Sequence, residues 1–312
     1  MRRTLALSVA PLVLAFCGIL YGSSSAPTAM SPQPVVAAAA KAGAQAARAL
    51  PSLFISHGSP MMAVQAGNSG KTLKRLAKQL PKPKAIVVMS AHWESRDVLV
   101  LGNPQPETLH DFYGFPDRLY EVFYPAPGEP ALAERVVGML RKRGIRAAVD
   151  PSRPRDHGCW VPLVHMYPKA DIPVIQISLP RAGGPAAALA VGDAVKDLRQ
   201  EGVLLIGSGS ITHNLGRLDR SRFMDETATP RPTRGYEWAG EFRDWVADRL
   251  DHGDLSSLQD WEHKAPHALV SHPRDEHFLP LFFAVAAGGD KFNVEQTDFM
   301  AGSLGMDIYS FS

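Results

Sequence analysis

Residues 85–93 of the chain, with the sequence AIVVMSAHW, contain five consecutive apolar residues followed by Ser, Ala and a histidine, His92. The apolar run at 85–89 predicts a buried strand, because short uninterrupted runs rich in β-branched residues occur in parallel sheets that are covered on both faces. The run ends in small residues, which suit a turn. We therefore expect His92 to lie just beyond the carboxyl end of this strand.

The same arrangement of an apolar run followed by a histidine occurs twice more in the chain. Residues 53–55 precede His57, and residues 203–206 precede His213. A single histidine at a strand end is more often a hydrogen-bonded structural residue than a ligand. However, ligands of open α/β sheets bind at the carboxyl ends of the parallel strands. Three histidines delivered to that edge predict a shared metal site.

The composition is that of an ordinary globular protein and excludes one class of partner. The chain has 312 residues, of which 45% are hydrophobic and 21% charged, and its formal net charge is +2. A nucleic-acid-binding protein needs clustered positive charge, so no nucleic-acid partner is expected. With 11 histidines and only 2 cysteines, imidazole is a more plausible metal ligand than thiolate.

The amino terminus has the pattern of a secretory signal. A basic start at residues 1–3 precedes an apolar stretch at 4–21 and small polar residues at 22–26. This pattern predicts a signal peptide over 1–26 and export, to the periplasm, with no stable membrane span after its removal. An uncleaved membrane anchor is the alternative. Without the signal, Cys159 has no partner for an internal disulfide.

The rest of the chain divides into a linker and one domain. Residues 27–50 are rich in Ala and Pro and predict a linker with a weak helix at 36–49, and residues 51–312 predict the catalytic domain. Strands are expected at 53–55, 85–89, 98–101, 145–149, 173–179, 203–206 and 308–311, and helices at 72–80, 130–143, 161–166, 186–200, 236–250, 256–267 and 276–287. The alternation predicts a single α/β domain with a mostly parallel central sheet flanked by helices, and a metal site at the carboxyl ends of its strands.

Further candidates lie outside the strand ends. His277 is adjacent to Glu276 at the start of a predicted helix, so this turn offers an imidazole or a carboxylate ligand. His157 follows Asp156 and is a candidate acid or base beside the metal. A Pro-, Gly- and aromatic-rich segment at 104–130 is long enough to indicate a functional wall or lid. His252, His263, His267 and His272 lie in polar sequence and predict a solvated surface.

Six motifs together resemble one known family, the class III extradiol ring-cleavage dioxygenases, and most closely their 4,5-DOPA dioxygenase-like branch. The resemblance covers residues 51–312. The motifs are FISHGSP at 54–60, VVMSAHW at 87–93, HDFYGFP at 110–116, DHGCW at 156–160, GSG through HNL at 207–215, and EHFLPL at 276–281.

The resemblance implies one divalent metal per subunit, either Fe(II), which supports oxygenase activity, or Zn(II). His57, His92 and His277 match metal ligands of the family, and His213 matches a histidine described as a fourth ligand or as the catalytic base. Related enzymes use two histidines and one carboxylate. Glu276 and His277 therefore both remain candidates for the third ligand.

The implied reaction inserts both atoms of O2 into a small aromatic diol, a DOPA-like catechol, and opens the ring beside the diol. His213 would act as the base and His157 would stabilise developing negative charge on oxygen. His110, Trp93 and Tyr113 are the predicted substrate-binding residues. A zinc-dependent hydrolase, a periplasmic metal carrier and a non-enzymatic metal-binding or interaction protein of the same fold are the alternatives.

Overall fold

The computed structural model describes residues 49–219 and 235–312. The predicted signal peptide at 1–26, nearly all of the predicted linker at 27–50, including its weak helix, and residues 220–234 lie outside these ranges. Within the described ranges, every helix is too short or too polar to cross a membrane.

The boundary of the domain lies slightly earlier than predicted. Leu50, which the sequence assigned to the linker, is buried. Its amide donates a hydrogen bond to the carbonyl of Arg199 (3.2 Å), and Arg199 Nη1 donates to the carbonyl of Leu50 (2.9 Å). Leu50 therefore belongs to the folded domain.

The described residues form an eight-stranded sheet with the order β4-β3-β5-β2-β6-β1-β10-β7 and a separate pair, β8-β9. The strands are β1 (Ser52–Ser56), β2 (Ala85–Ser95), β3 (Val98–Leu101), β4 (Ala147–Asp150), β5 (Val174–Pro180), β6 (Val203–Gly209), β7 (Phe292–Gln296), β8 (Phe299–Met300), β9 (Leu304–Gly305) and β10 (Ile308–Phe311).

The centre of the sheet is parallel, as the sequence predicted. β1 pairs with β6, β6 with β2, and β2 with β5, all in parallel register. Antiparallel pairs occur where β3 meets β5 and where β10 lies between β1 and β7. The carboxyl ends of the four central strands therefore lie at one edge of the sheet.

Helices cover both faces of the sheet. The first face packs against α3 (Pro130–Lys142), α5 (Gly184–Val195), α6 (Glu237–Asp251) and α10 (Leu279–Ala287), and the second against α1 (Gly67–Gln79) and α4 (His157–Met166). Short helices occupy connections: α2 (Asp117–Tyr120), α7 (Leu255–Gln259), α8 (Trp261–Lys264) and α9 (Ala268–Ser271), together with 3-10 turns at Pro60–Ala63, Lys196–Glu201 and Leu215–Arg217.

β2 is buried on both faces, but it is longer than predicted. Val87 and Met89 contact the first helical layer, and Ile86 and Val88 contact the second. The strand continues to Ser95, and its pairing with β5 is irregular: four residues of β2 lie between the pairs Met89–Ile177 and Glu94–Leu179, where β5 has one. Such a bulge redirects side chains next to functional sites. His92 lies inside this bulge and not beyond the strand end.

The last long helix begins later than predicted. α10 starts at Leu279, and Pro280 occupies its first turn, where the missing amide of proline costs no hydrogen bond. Glu276 and His277 therefore lie in the turn before the helix. The helix predicted at 256–267 is also wrong as a continuous element, since α7 and α8 separate at Asp260.

Two glycines of β6 allow this turn to lie directly on the sheet. A Cβ at Gly207 would be 2.0 Å from the carbonyl oxygen of Pro280, and a Cβ at Gly209 would be 2.1 Å from that of His277. The amide of Ser210 donates a hydrogen bond to the same His277 carbonyl (2.8 Å). The height of His277 above the sheet is therefore set by main-chain contact.

We expect Gly207→Ala to destabilise the protein by about 3 kcal/mol, because the added methyl group meets a carbonyl oxygen that cannot move without the helix. Gly138→Ala in α3 is the matched control. A Cβ there meets no atom within 4 Å, so the change should stabilise by about 0.5–1 kcal/mol through helix propensity. Urea unfolding of both variants measures the difference, and equal effects would contradict the packing account.

Candidate active site

Three imidazoles from separate parts of the chain meet at the carboxyl edge of the sheet. The ring centroids of His57 and His92 are 5.0 Å apart, those of His57 and His277 5.3 Å, and those of His92 and His277 4.9 Å. His57 follows β1, His92 lies in the bulge of β2, and His277 lies in the turn before α10. The structure thus brings together the three residues that the family resemblance assigned to the metal.

The tautomer of His57 follows from its hydrogen bonds. Ser208 Oγ donates its hydroxyl proton to the carbonyl of Gly158 (2.6 Å), so it accepts a hydrogen bond from His57 Nδ1 (3.0 Å). The Nε2 atom of neutral His57 therefore carries a lone pair. It lies 3.0 Å from His92 Nε2, within the separation of about 2.9–3.4 Å expected for two nitrogens that bind one ion at about 2.0–2.1 Å.

His277 is arranged in the same way. Its Nδ1 donates to Glu276 Oε1 (3.1 Å). Its Nε2 is buried and has no hydrogen-bond partner among the described residues. A metal-binding histidine usually donates its second ring nitrogen to a carboxylate. Glu276 lies close enough to His213 and His277 to share an ion with them, but its other oxygen accepts from Arg274, so the geometry favours His277 as the ligand.

The three imidazoles are held in the neutral form that a metal needs. Burial is the largest cause that lowers the pKa of His57, His92 and His277 well below the ordinary value, and repulsion from neighbouring imidazoles adds to it. Asp111 opposes this effect at His92 without reversing it. Each ring can therefore present an unshared electron pair at neutral pH.

His213 lies beside this group. Its ring stacks on that of His277, with centroids 3.5 Å apart and planes 6° from parallel. Burial, with repulsion from His157, lowers the pKa of His213 to about 4. The ring is therefore unprotonated near neutral pH and can accept a proton.

His157, at the start of α4, lies on the other side of His92, with ring centroids 3.9 Å apart. Its orientation is set by Asp111, whose Oδ1 accepts from both the Nδ1 (2.9 Å) and the backbone amide (3.0 Å) of His157. The neighbouring Asp156 has another function, since it caps α4 by accepting from the amide of Cys159 and also accepts from Ser90 Oγ (2.7 Å).

The sequence did not identify Asp111 as a site residue, although it belongs to the HDFYGFP motif. Burial acts to raise the pKa of Asp111, but hydrogen bonds and attraction to His157 outweigh it and hold the pKa below its usual value. Its Oδ2 lies 3.9 Å from His92 Nδ1. An ionised carboxylate therefore connects the aromatic segment 104–130 to two imidazoles.

Four of these histidines, His92, His157, His213 and His277, line a cleft of about 530 Å³, which is within the range of small-molecule sites. Imidazoles form one side, and the remaining wall is largely apolar. The lining residues are Gly58, Ser59, Pro60, Ala91, His92, Glu94, Phe112, Phe115, His157, His213, Leu215, Leu218, Arg274, Glu276, His277 and Leu304.

The three predicted substrate-binding residues do not line this cleft. Trp93 is buried, with the guanidinium of Arg153 4.9 Å from its ring centroid. His110 Nε2 hydrogen-bonds to the carbonyl of Val122 (3.0 Å), and Tyr113 is 92% exposed. Residues 110–116 contribute Phe112 and Phe115 to the cleft instead.

The prediction of a solvated surface is wrong for one of its four histidines. His272 is buried, contacts the rings of Phe242, Trp261 and Phe278, and its Nε2 hydrogen-bonds to the carbonyl of Ile211 (2.7 Å). The other three members of that group are exposed and each lies beside a carboxylate: His252, His263 and His267.

The fold and the site define a ring-opening dioxygenase of the extradiol type. Residues 51–311 match the family model of the catalytic LigB subunit of aromatic ring-opening dioxygenase. The chain belongs to this family and is a class III extradiol ring-cleavage dioxygenase, as the motifs predicted.

Similar proteins carry a more specific name. A 4,5-DOPA dioxygenase extradiol from Beta vulgaris is 40% identical over 247 residues, which cover 78% of this chain and 88% of the relative. One from Escherichia coli K12 is 36% identical over 266 residues, covering 82% and 93%. The crystal structure of an uncharacterized protein from Escherichia coli K12 has a TM-score of 0.69 and 31% identity, covering 84% of this chain and 100% of that one.

Replacing His57, His92 or His277 with Ala should lower the affinity for a divalent metal by more than about a hundredfold. Loss of a residue that only hydrogen-bonds to a metal ligand already lowers the affinity about 10–100-fold. Competition titration with a chromophoric chelator measures this change. His252→Ala removes an exposed imidazole and serves as the control. Unchanged affinity in His92→Ala would contradict the shared site.

Proposed function

We propose that this extradiol dioxygenase cleaves a catechol-type, DOPA-like substrate, inserting both atoms of O2 and opening the ring beside the diol, with one divalent metal bound by His57, His92 and His277. The observation that carries the proposal is the convergence of these three imidazoles, two of which, His92 and His277, line the cleft. The name of the relatives, 4,5-DOPA dioxygenase extradiol, supports the substrate class.

The donor set fits a divalent ion. The buried Nε2 of His277 lacks a partner among the described residues, and the Nε2 atoms of His57 and His92 lie as close as two ligands of one ion. We propose Fe(II) as the active metal, with Zn(II) as an inactive occupant. When bound, the ion would acidify the diol hydroxyls and supply the redox chemistry that O2 needs.

His213 is the proposed base. Its ring lines the cleft and is neutral near pH 7, so it can accept the proton of a diol hydroxyl. Negative charge on the bound diol would raise the proton affinity of His213, because an opposite charge nearby favours the protonated imidazole. The proton can then be returned to the opened product.

His157 is the proposed group that stabilises negative charge. Asp111 accepts its Nδ1 hydrogen, which leaves Nε2 as the atom that can face the substrate. Held in this orientation by the carboxylate, His157 is the group we assign to stabilising an oxygen of the substrate that becomes negative. The apolar side chains of Phe112 and Phe115 can hold the flat ring of the substrate and exclude water.

We also propose export to the periplasm. The proposal rests on the basic, apolar and small-residue pattern of residues 1–26. Fractionation of expressing cells, with a variant that lacks residues 1–26 as the control, tests it.

The function is tested with protein loaded anaerobically with Fe(II), mixed with L-DOPA and then exposed to oxygen. We expect consumption of one O2 per catechol and the appearance of a yellow semialdehyde. A Zn(II)-loaded sample should show neither. Absence of oxygen uptake with Fe(II), together with ester hydrolysis by the Zn(II) form, would instead identify a zinc hydrolase.

His213→Ala should lower kcat by about a hundredfold or more, with KM changed far less, because a general base contributes about 10²–10⁴-fold to the chemical step. Steady-state oxygen uptake gives both constants, and His263→Ala, at an exposed position, is the control. A parallel loss of bound metal and activity would show that His213 acts as a ligand.

A further inference from the structure

Three charged residues of the cleft are joined by hydrogen bonds, and two of them, Arg274 and Glu94, have no part in the chemistry described above. Arg274 Nε donates to Glu276 Oε2 (3.1 Å), and Arg274 Nη2 donates to Glu94 Oε2 (3.2 Å). All three residues line the cleft. We refer to Arg274, Glu94 and Glu276 as the rim triad.

The rim triad is placed for binding and contributes little to folding. The side chain of Arg274 is 71% exposed, whereas those of Glu94 and Glu276 are 24% and 16% exposed. Ion pairs with so exposed a partner add little to stability. The two carboxylates hold an accessible guanidinium at the open end of an otherwise largely apolar cleft.

The rim triad is directly connected to the imidazoles. Glu276 accepts from His277 through Oε1 and from Arg274 through Oε2. One carboxylate therefore separates the guanidinium from the histidine cluster. Glu94 lies two positions after His92 in β2. An aromatic ring held at the imidazoles would consequently place a short substituent next to the rim triad.

The charges of the rim triad match a substituent that carries one negative and one positive charge. One guanidinium and two carboxylates have a formal excess of one negative charge. Arg274 binds the two carboxylates through Nε and Nη2, which leaves Nη1 for an anionic group. Glu94 can pair with a cation. The facing walls, Phe112 and Phe115, offer no charge to either group.

Building on the proposed function, we infer that the rim triad determines substrate specificity by binding an α-amino acid substituent of the catechol. Arg274 binds the carboxylate through a charge-assisted hydrogen bond, and Glu94 binds the ammonium group. Glu276 is a positioning residue that fixes Arg274 and His277 together. The preferred substrates are therefore catechols with a short zwitterionic arm.

The test compares four catechols: L-DOPA, with both charges; 3-(3,4-dihydroxyphenyl)propionate, with the carboxylate only; dopamine, with the ammonium only; and 4-methylcatechol, with neither. For Arg274→Met, we expect kcat/KM to fall about tenfold more for the two carboxylate-bearing substrates than for the other two, mainly through KM. For Glu94→Gln, we expect kcat/KM to fall more for L-DOPA and dopamine, which carry the ammonium group, than for the other two substrates.

The control is Arg75→Met, which removes an exposed arginine that pairs with Glu295 (3.0 Å) away from the cleft. Arg75→Met should change kcat/KM for all four catechols equally or not at all. Equal losses for the four catechols in Arg274→Met would overturn the specificity role, because that pattern reports a disturbance of His277 through Glu276. Failure of the unaltered enzyme to cleave any of the four would instead refute the proposed function.

Discussion

Two ring nitrogens, His57 Nε2 and His92 Nε2, face each other at 3.0 Å in a buried site. This arrangement is unfavourable unless a proton or a cation lies between the two electron pairs. Burial makes protonation of the rings costly, as the lowered pKa values of both residues show. Much of the surrounding structure serves to keep this pair, and the equally buried Nε2 of His277, in place.

Three of the imidazoles have a hydrogen-bond partner at Nδ1. Ser208 fixes His57 and Glu276 fixes His277, while Asp111 fixes His157 and lies near His92. Since each partner occupies Nδ1, it leaves Nε2 directed away from it. The main chain also helps to position the imidazoles. The bulge of β2 displaces His92, and the glycines of β6 allow the turn at His277 to lie close to the sheet.

Along the cleft, the electrostatic character changes from neutral to charged. Burial keeps His92, His213 and His277 unprotonated on one side of the cleft, the walls are largely apolar, and an exposed guanidinium lies between two carboxylates. A molecule that fills such a cleft is polar at both ends and flat and apolar between them. A catechol with a charged arm has this distribution, so the same geometry supports both the proposed reaction and the proposed substrate preference.

The sequence by itself determined the parallel core and the histidines near its strand ends, because apolar runs of strand length and their spacing from His57, His92 and His213 are local properties of the chain. Only the tertiary structure decided which other side chains meet them. Asp111 reaches His157 across 46 positions and Arg274 reaches Glu94 across 180, and no local period reports such a pairing. It also decided that Trp93, His110 and Tyr113 do not line the cleft, since side-chain contacts depend on packing that composition does not reveal.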